Sequence, residues 1–166
     1  MEKKFDIIIY GASGFTGSLG AKYIEKYTDK ISWAIAGRDF NKLQKLQEQL
    51  KSKPEIIVAD GNDEEALIKL TQSTKVVASY AGPFNKYSNL LVKSCVKTST
   101  HYVDITGEAI WVRDLIDDYH KECIEKKIKI IPACGYDSIP SDIGTFFTAK
   151  QINEPLKSIY AYHSMA

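Results

Sequence analysis

Three glycines in Gly11-Ala12-Ser13-Gly14-Phe15-Thr16-Gly17 recur at three-residue intervals, directly after the apolar run Phe5–Tyr10 and at the start of a helical pattern. A strand, a glycine turn and a helix in that order suit a dinucleotide pyrophosphate. Each glycine has its own task. Gly11 allows the tight turn out of the strand, Gly14 lets backbone approach the pyrophosphate, and Gly17 lets the helix sit close to the sheet. Unpaired N–H groups and the positive end of the helix dipole favour the phosphates. Ala12, Ser13, Phe15 and Thr16 complete the loop as candidate cofactor contacts. The competing reading is a glycine-rich turn with no ligand.

A second polar group lies at Ala36-Gly37-Arg38-Asp39, the end of the next apolar run. An acid at that tip accepts from a ribose 2′-OH and selects NAD, whereas an Arg accommodates the 2′-phosphate of NADP. Both types are present. Asp39 is also placed to cap the helix that begins near Phe40, while Arg38 has no evident structural task. NADP is therefore expected ahead of NAD, the alternative for Arg38 being a solvated surface side chain. Asp60 follows the third run, where it either faces an adenine or forms the turn beside Gly61. Ala81-Gly82-Pro83 follows the fourth run. Its small residues let backbone lie against the pyrophosphate and the nicotinamide ribose, and Pro83 fixes the loop.

Two more tips are polar: Tyr102–Glu108, and Ala133–Asp142 with Tyr136 and Asp137. In open α/β sheets ligands bind outside the carboxyl ends of the strands. Tyr136 and Asp137 are candidates for the substrate side, with a structural role equally open. Loop hydrogen bonding is the reading for Asp104 and Glu108, and helix capping for Ser138, Ser141 and Asp142. His101, His120 and His163 lack metal-ligand spacing. There is no GxSxG elbow, and the glycine loop lacks the Lys-Ser/Thr of a P-loop.

Those loops need a scaffold, and the chain alternates strands with helices. Strands are expected over 5–10, 31–36, 55–59, 75–80, 102–105 and 128–131. Helices are expected over 14–27, 40–50, 63–70, 87–97, the Trp111–Cys123 stripe and 140–151. Leu19, Tyr23, Ile24 and Tyr27 share one face of the first helix. Leu43, Leu46 and Leu50 mark the core face of the second. Asn62 with Glu65 has the spacing of a capping box. The pattern predicts an α/β fold: a doubly wound, Rossmann-type parallel sheet with helices on both faces and strand order 3-2-1-4-5-6. Residues 1–150 form the nucleotide-binding domain. Leu156–His163 alternates like a strand, so 151–166 begins a second α/β domain or adds an edge strand. An exposed edge there could pair with a second copy as a homodimer.

The 166 residues, 44% hydrophobic and 26% charged, are ordinary for one globular domain. Lys plus Arg is 22 and Asp plus Glu 21, a formal net charge of +1. That leaves no electrostatic case for nucleic acid or an anionic membrane. Three cysteines without a CxxC argue against a disulfide framework and for a reducing compartment. No apolar run reaches the ~18 residues of a membrane helix. Asp6 interrupts the only N-terminal run that resembles a signal peptide.

Taken jointly, GASGFTG at Gly11, AGR at Ala36, GP at Gly82, YVDITGE at Tyr102 and CGYDSIPSD at Cys134 resemble the saccharopine dehydrogenase-like oxidoreductases. The branch that includes trans-acting enoyl reductases is the nearer likeness. The resemblance implies the N-terminal NAD(P)-binding domain of a cytoplasmic oxidoreductase, which presents the nicotinamide to an enoyl or carbonyl small molecule, lipid-like by analogy. It also implies a second α/β domain that shapes the substrate pocket, and it carries over no catalytic residue. A non-catalytic NADP-binding sensor or interaction module is the alternative from another class.

Overall fold

A computed structural model describes residues 3–152 and 154–162. Its strands are β1 (Phe5–Tyr10), β2 (Trp33–Gly37), β3 (Glu55–Val58), β4 (Thr74–Ser79), β5 (His101–Asp104) and β6 (Ile130–Ile131). Its helices are α1 (Phe15–Ile24), α2 (Phe40–Gln49), α3 (Glu64–Gln72), α4 (Phe84–Tyr87), α5 (Asn89–Lys97), α6 (Ala109–Lys126) and α7 (Ile139–Gln151). The strands form one sheet in the order β3-β2-β1-β4-β5-β6. Every pairing is parallel. This is the expected doubly wound topology. Register aligns Tyr10 with Ala36 and Ser79, and Ser79 with Asp104, so four loops leave one edge at one level.

Successive strand residues point to opposite faces, and both faces are covered. Ile8 joins a cluster with Leu67, Leu91 and Trp111. Its neighbour Ile9 joins Ala21, Leu43 and Leu46 on the other side. Leu43, Leu46 and Leu50 are buried as their spacing predicts, each stabilising the fold by about 1.5–3 kcal/mol.

The first helix packs as the reading of Gly17 expects, with Ile24 of the shared apolar face partly buried. It faces the sheet with Gly17 and Ala21, while Leu19, Tyr23 and Tyr27 are exposed. Close approach decides this: a Cβ at Gly17 would lie 2.2 Å from the Gly11 carbonyl oxygen. The small residues therefore claim the inner face, and the larger apolar ones turn outward. The start of α3 is corrected. Asp63, rather than Asn62, caps it, accepting from the Ala66 amide at 3.0 Å.

Residues from β6 onward differ from the rest. No residue of α7 is buried, and Ile143, Phe146 and Phe147 are exposed. Ser138 stands at its N-cap without a side-chain capping bond. Leu156–Tyr162 is exposed and forms no strand. β6 is thus the last strand of the sheet among the described residues. Alternation alone does not make a strand where no partner supplies hydrogen bonds. His163 lies outside the described residues.

Candidate functional site

The aligned strand tips enclose a cleft of about 250 Å³. Gly11, Ser13, Gly14, Gly37, Arg38, Asp60, Gly61, Ala81 and Gly82 line it, with the rings of Tyr10, Tyr80 and Tyr87. Seven of the residues expected from sequence to bind cofactor therefore meet here, from four different loops.

The floor is built by omission of side chains. Gly11 has φ +74°, and a Cβ on it would lie 2.9 Å from the Ala81 amide nitrogen. Only glycine fits a turn that is both left-handed and pressed against the neighbouring loop. The amides of Gly11 and Ala12 donate to the Ala36 carbonyl, at 2.9 and 3.1 Å, which ties β1 to β2. Ala12 is buried beneath the loop. Gly14 is different: its backbone is extended, it is exposed, and a Cβ on it would meet only the Gly11 oxygen, at 3.3 Å. The space above it is open to a ligand. Phe15 and Thr16 form the exposed first turn of α1, whose leading N–H groups have no partner within the helix. No side chain caps that end, and no acid lies in its first turn. An uncapped helix start over an open glycine fits a phosphate-bearing cofactor.

At the β2 tip the two competing residues separate. Asp39 caps α2, its Oδ1 accepting from the Lys42 amide at 3.1 Å. Arg38 is exposed at the mouth of the cleft and makes no hydrogen bond or ion pair among the described residues. The acid is spent on a helix end, and the cation is left unpaired among the described residues. Asp60 serves the chain as well as the cleft: its Oδ1 accepts from the Asn62 amide at 2.9 Å, shaping the turn into α3. Tyr10 donates to the Ala59 carbonyl at 3.3 Å. Burial and the neighbouring Asp60 charge push its hydroxyl up to about 12, against the opposing effect of Arg38.

Pro83 is exposed at the rim and starts α4. Tyr136 and Asp137 are exposed and do not line the cleft. Asp137 turns toward the β5 tip instead, its Oδ2 lying 3.9 Å from where a Cβ on Gly107 would be. The sequence reading missed Tyr10 and Tyr87. Tyr10 reads as one more apolar strand residue, and Tyr87, expected to start the helix over 87–97, instead ends the short α4 turn that carries it to the cleft.

Comparison with known proteins agrees with this geometry. The model of the saccharopine dehydrogenase NADP-binding domain matches residues 7–131. Among curated proteins, a lipid droplet localized protein of Caenorhabditis elegans is 32% identical over 96% of this chain and 39% of its own length. A trans-acting enoyl reductase of Mycobacterium tuberculosis is 36% identical over 87% of the chain and 35% of its own length. The chain thus spans between a third and two fifths of these relatives. The fold is shared with saccharopine dehydrogenase (L-Glu forming) of Saccharomyces cerevisiae, with a TM-score of 0.74 at 23% identity, covering 89% of this chain and 31% of that one. A short-chain dehydrogenase/reductase of Vibrio parahaemolyticus has a TM-score of 0.63 at 18% identity, covering 76% of this chain and 82% of its own. A doubly wound sheet, a glycine loop with open space above Gly14, and a family match over most of the sheet converge: the chain belongs to the saccharopine dehydrogenase NADP-binding domain family.

Proposed function

We propose that this chain is the cofactor half of an NADP-dependent oxidoreductase that presents the nicotinamide to an enoyl or carbonyl group on a lipid-like small molecule. The observation that carries the reading is the division of labour at the β2 tip, where Asp39 is consumed by helix capping and Arg38 stands free at the cleft mouth. Gly11 to Gly17 would hold the pyrophosphate, Arg38 the 2′-phosphate, Asp60 the adenine side, and Ala81-Gly82-Pro83 the nicotinamide side. Bound there, NADPH supplies a hydride. The protein's own work is to orient and screen that group.

The substrate side belongs to a second domain. α7 and Leu156–Tyr162 expose Ile143, Phe146, Phe147, Leu156 and Tyr160, an apolar surface suited to packing under further structure. The substrate class rests on the names of the enoyl reductase and lipid droplet relatives. A cytoplasmic location remains part of the reading. No helix among the described residues is long and apolar enough to cross a membrane.

A titration with NADPH and NADH at matched ionic strength tests the cofactor. NADPH is expected to bind the more tightly. Arg38→Ala should lower NADPH affinity about tenfold to 150-fold and leave NADH nearly unchanged, as loss of one charge-assisted contact predicts. Equal loss for both cofactors would remove Arg38 as the discriminator. Binding without reduction of any enoyl or carbonyl compound by a form carrying the second domain would favour a sensor module.

A further inference from the structure

Three loops beyond the glycine side are joined by side chains rather than by sheet hydrogen bonds. Asp104, 2% exposed at the β5 tip, accepts from the amides of Thr106 and Ala133 on Oδ1, both at 3.0 Å. Its Oδ2 accepts from the Tyr102 hydroxyl at 2.8 Å. Its backbone carbonyl accepts from the Cys134 amide at 2.7 Å. One group thereby binds the β6 tip to the β5 tip. Two residues on, Thr106 Oγ1 accepts from the Glu108 amide at 3.1 Å. The Glu108 carboxylate then reaches across to the β4 loop. Oε1 accepts from the Phe84 amide at 2.7 Å and Oε2 from the Asn85 amide at 3.0 Å.

The two amides that Glu108 holds immediately follow Ala81-Gly82-Pro83, of which Ala81 and Gly82 line the cleft on the side proposed for the nicotinamide. A carboxylate accepting from two successive N–H groups fixes the direction of that backbone as well as its position. The Phe84 ring is held separately, stacked 6.0 Å from Trp111, whose indole donates to Asn89 at 2.7 Å. Side-chain packing therefore seats α4 without Glu108. What the carboxylate adds is control of the loop backbone.

We infer that Glu108 is a positioning residue for the nicotinamide half of the cofactor, acting through the Gly82–Asn85 backbone, with Asp104 and Thr106 coupling that backbone to the β5 and β6 tips. The inference rests on the proposed placement of NADPH. The adenine half is gripped on the opposite side of the cleft, by Arg38 and Asp60, and does not depend on Glu108. The two halves of the dinucleotide therefore respond separately to its loss.

The test compares NADPH with adenosine 2′,5′-bisphosphate, which carries the 2′-phosphate and lacks the nicotinamide. Each is titrated into wild type, Glu108→Ala and Glu108→Gln, and nicotinamide fluorescence is recorded for bound NADPH. In Glu108→Ala, NADPH affinity is expected to fall about tenfold, as loss of a charge-assisted anchor implies, and the fluorescence of the bound ring to change. Affinity for the bisphosphate stays within about twofold of wild type, which also reports an intact fold. Glu108→Gln keeps one acceptor and sets an amide donor against the other N–H, so it should fall between. Equal loss of both ligands would make Glu108 a general stabiliser and overturn the inference. So would no loss of either, or wild type that holds NADPH no differently from the bisphosphate. Wild type that binds neither ligand would overturn the proposed function itself, and the anchor with it.

Discussion

The two sides of the cleft are built by opposite means. On the β1 side, loops pack closely and leave room because side chains are missing: Gly11 presses on Ala81, Gly17 presses on Gly11, and Gly14 leaves open space. On the β4–β6 side, loops are held by side chains that are present and buried, Asp104 above all. The difference matches what each side would hold. A pyrophosphate is recognised by backbone N–H groups and needs close approach. A flat ring that must be aimed needs a rigid wall, and polar groups that rigidify a wall must all be satisfied.

The largest break falls within the glycine side. Gly17→Val should destabilise the fold by about 3 kcal/mol or more, because its Cβ would meet backbone with nowhere to go. A denaturant midpoint close to wild type would mean that α1 does not sit as close to the sheet as described. Next comes the wired side. Asp104→Ala strands two amides and a tyrosine hydroxyl, and should cost about 3 kcal/mol. Asp104→Asn should cost less than about 1 kcal/mol, because Oδ1 still accepts from both amides while the new amide donates to Tyr102. If the two variants are equally damaged, the charge rather than the hydrogen-bond pattern is what the site needs.

The same pair sharpens the comparison through pH. Burial, the largest influence, raises the Asp104 carboxyl above its ordinary value against the opposing hydrogen bonds. The native state then binds this proton more readily than the unfolded chain, so this group's contribution to stability falls as pH rises through the native value. Relative to wild type, Asp104→Asn should gain as pH rises from about 4 toward neutrality. The smallest effect on folding belongs to Gly14→Val. Its extended backbone suits any residue, so stability should change by less than about 1 kcal/mol. NADPH affinity should nevertheless fall more than about tenfold as the side chain fills the phosphate space. A folded variant with unchanged affinity would displace the cofactor from this loop.

How much of this was legible beforehand differs by region. The strand order and the contributors Gly11, Gly14, Arg38, Asp60 and Ala81 follow from local pattern, since short buried strands and a glycine turn have strong one-dimensional signals. Sequence reading left Asp39 open between cap and cofactor contact, because both tasks suit an acid at that spot; the bond to Lys42 decides it. It assigned loop hydrogen bonding to Asp104 and Glu108 without their distant partners, because the Ala133 amide lies 29 residues from Asp104 and the Phe84 amide 24 residues from Glu108, in other loops. It named Gly17 as the close-approach residue of α1 but did not say which way the shared face of Leu19, Tyr23, Ile24 and Tyr27 turns, because that depends on the clearance above the sheet.

The sequence by itself determined the periodicities, the glycine spacing and the charge types at each strand tip, because these depend on neighbours within a few residues. Only the tertiary structure decided that Tyr10 and Tyr87 join the cleft and which carboxylate ends on which amide. It also decided that α7 and Leu156–Tyr162 bury nothing among the described residues. Those outcomes depend on contacts between segments far apart in the chain, and no local pattern encodes the distance across a folded sheet.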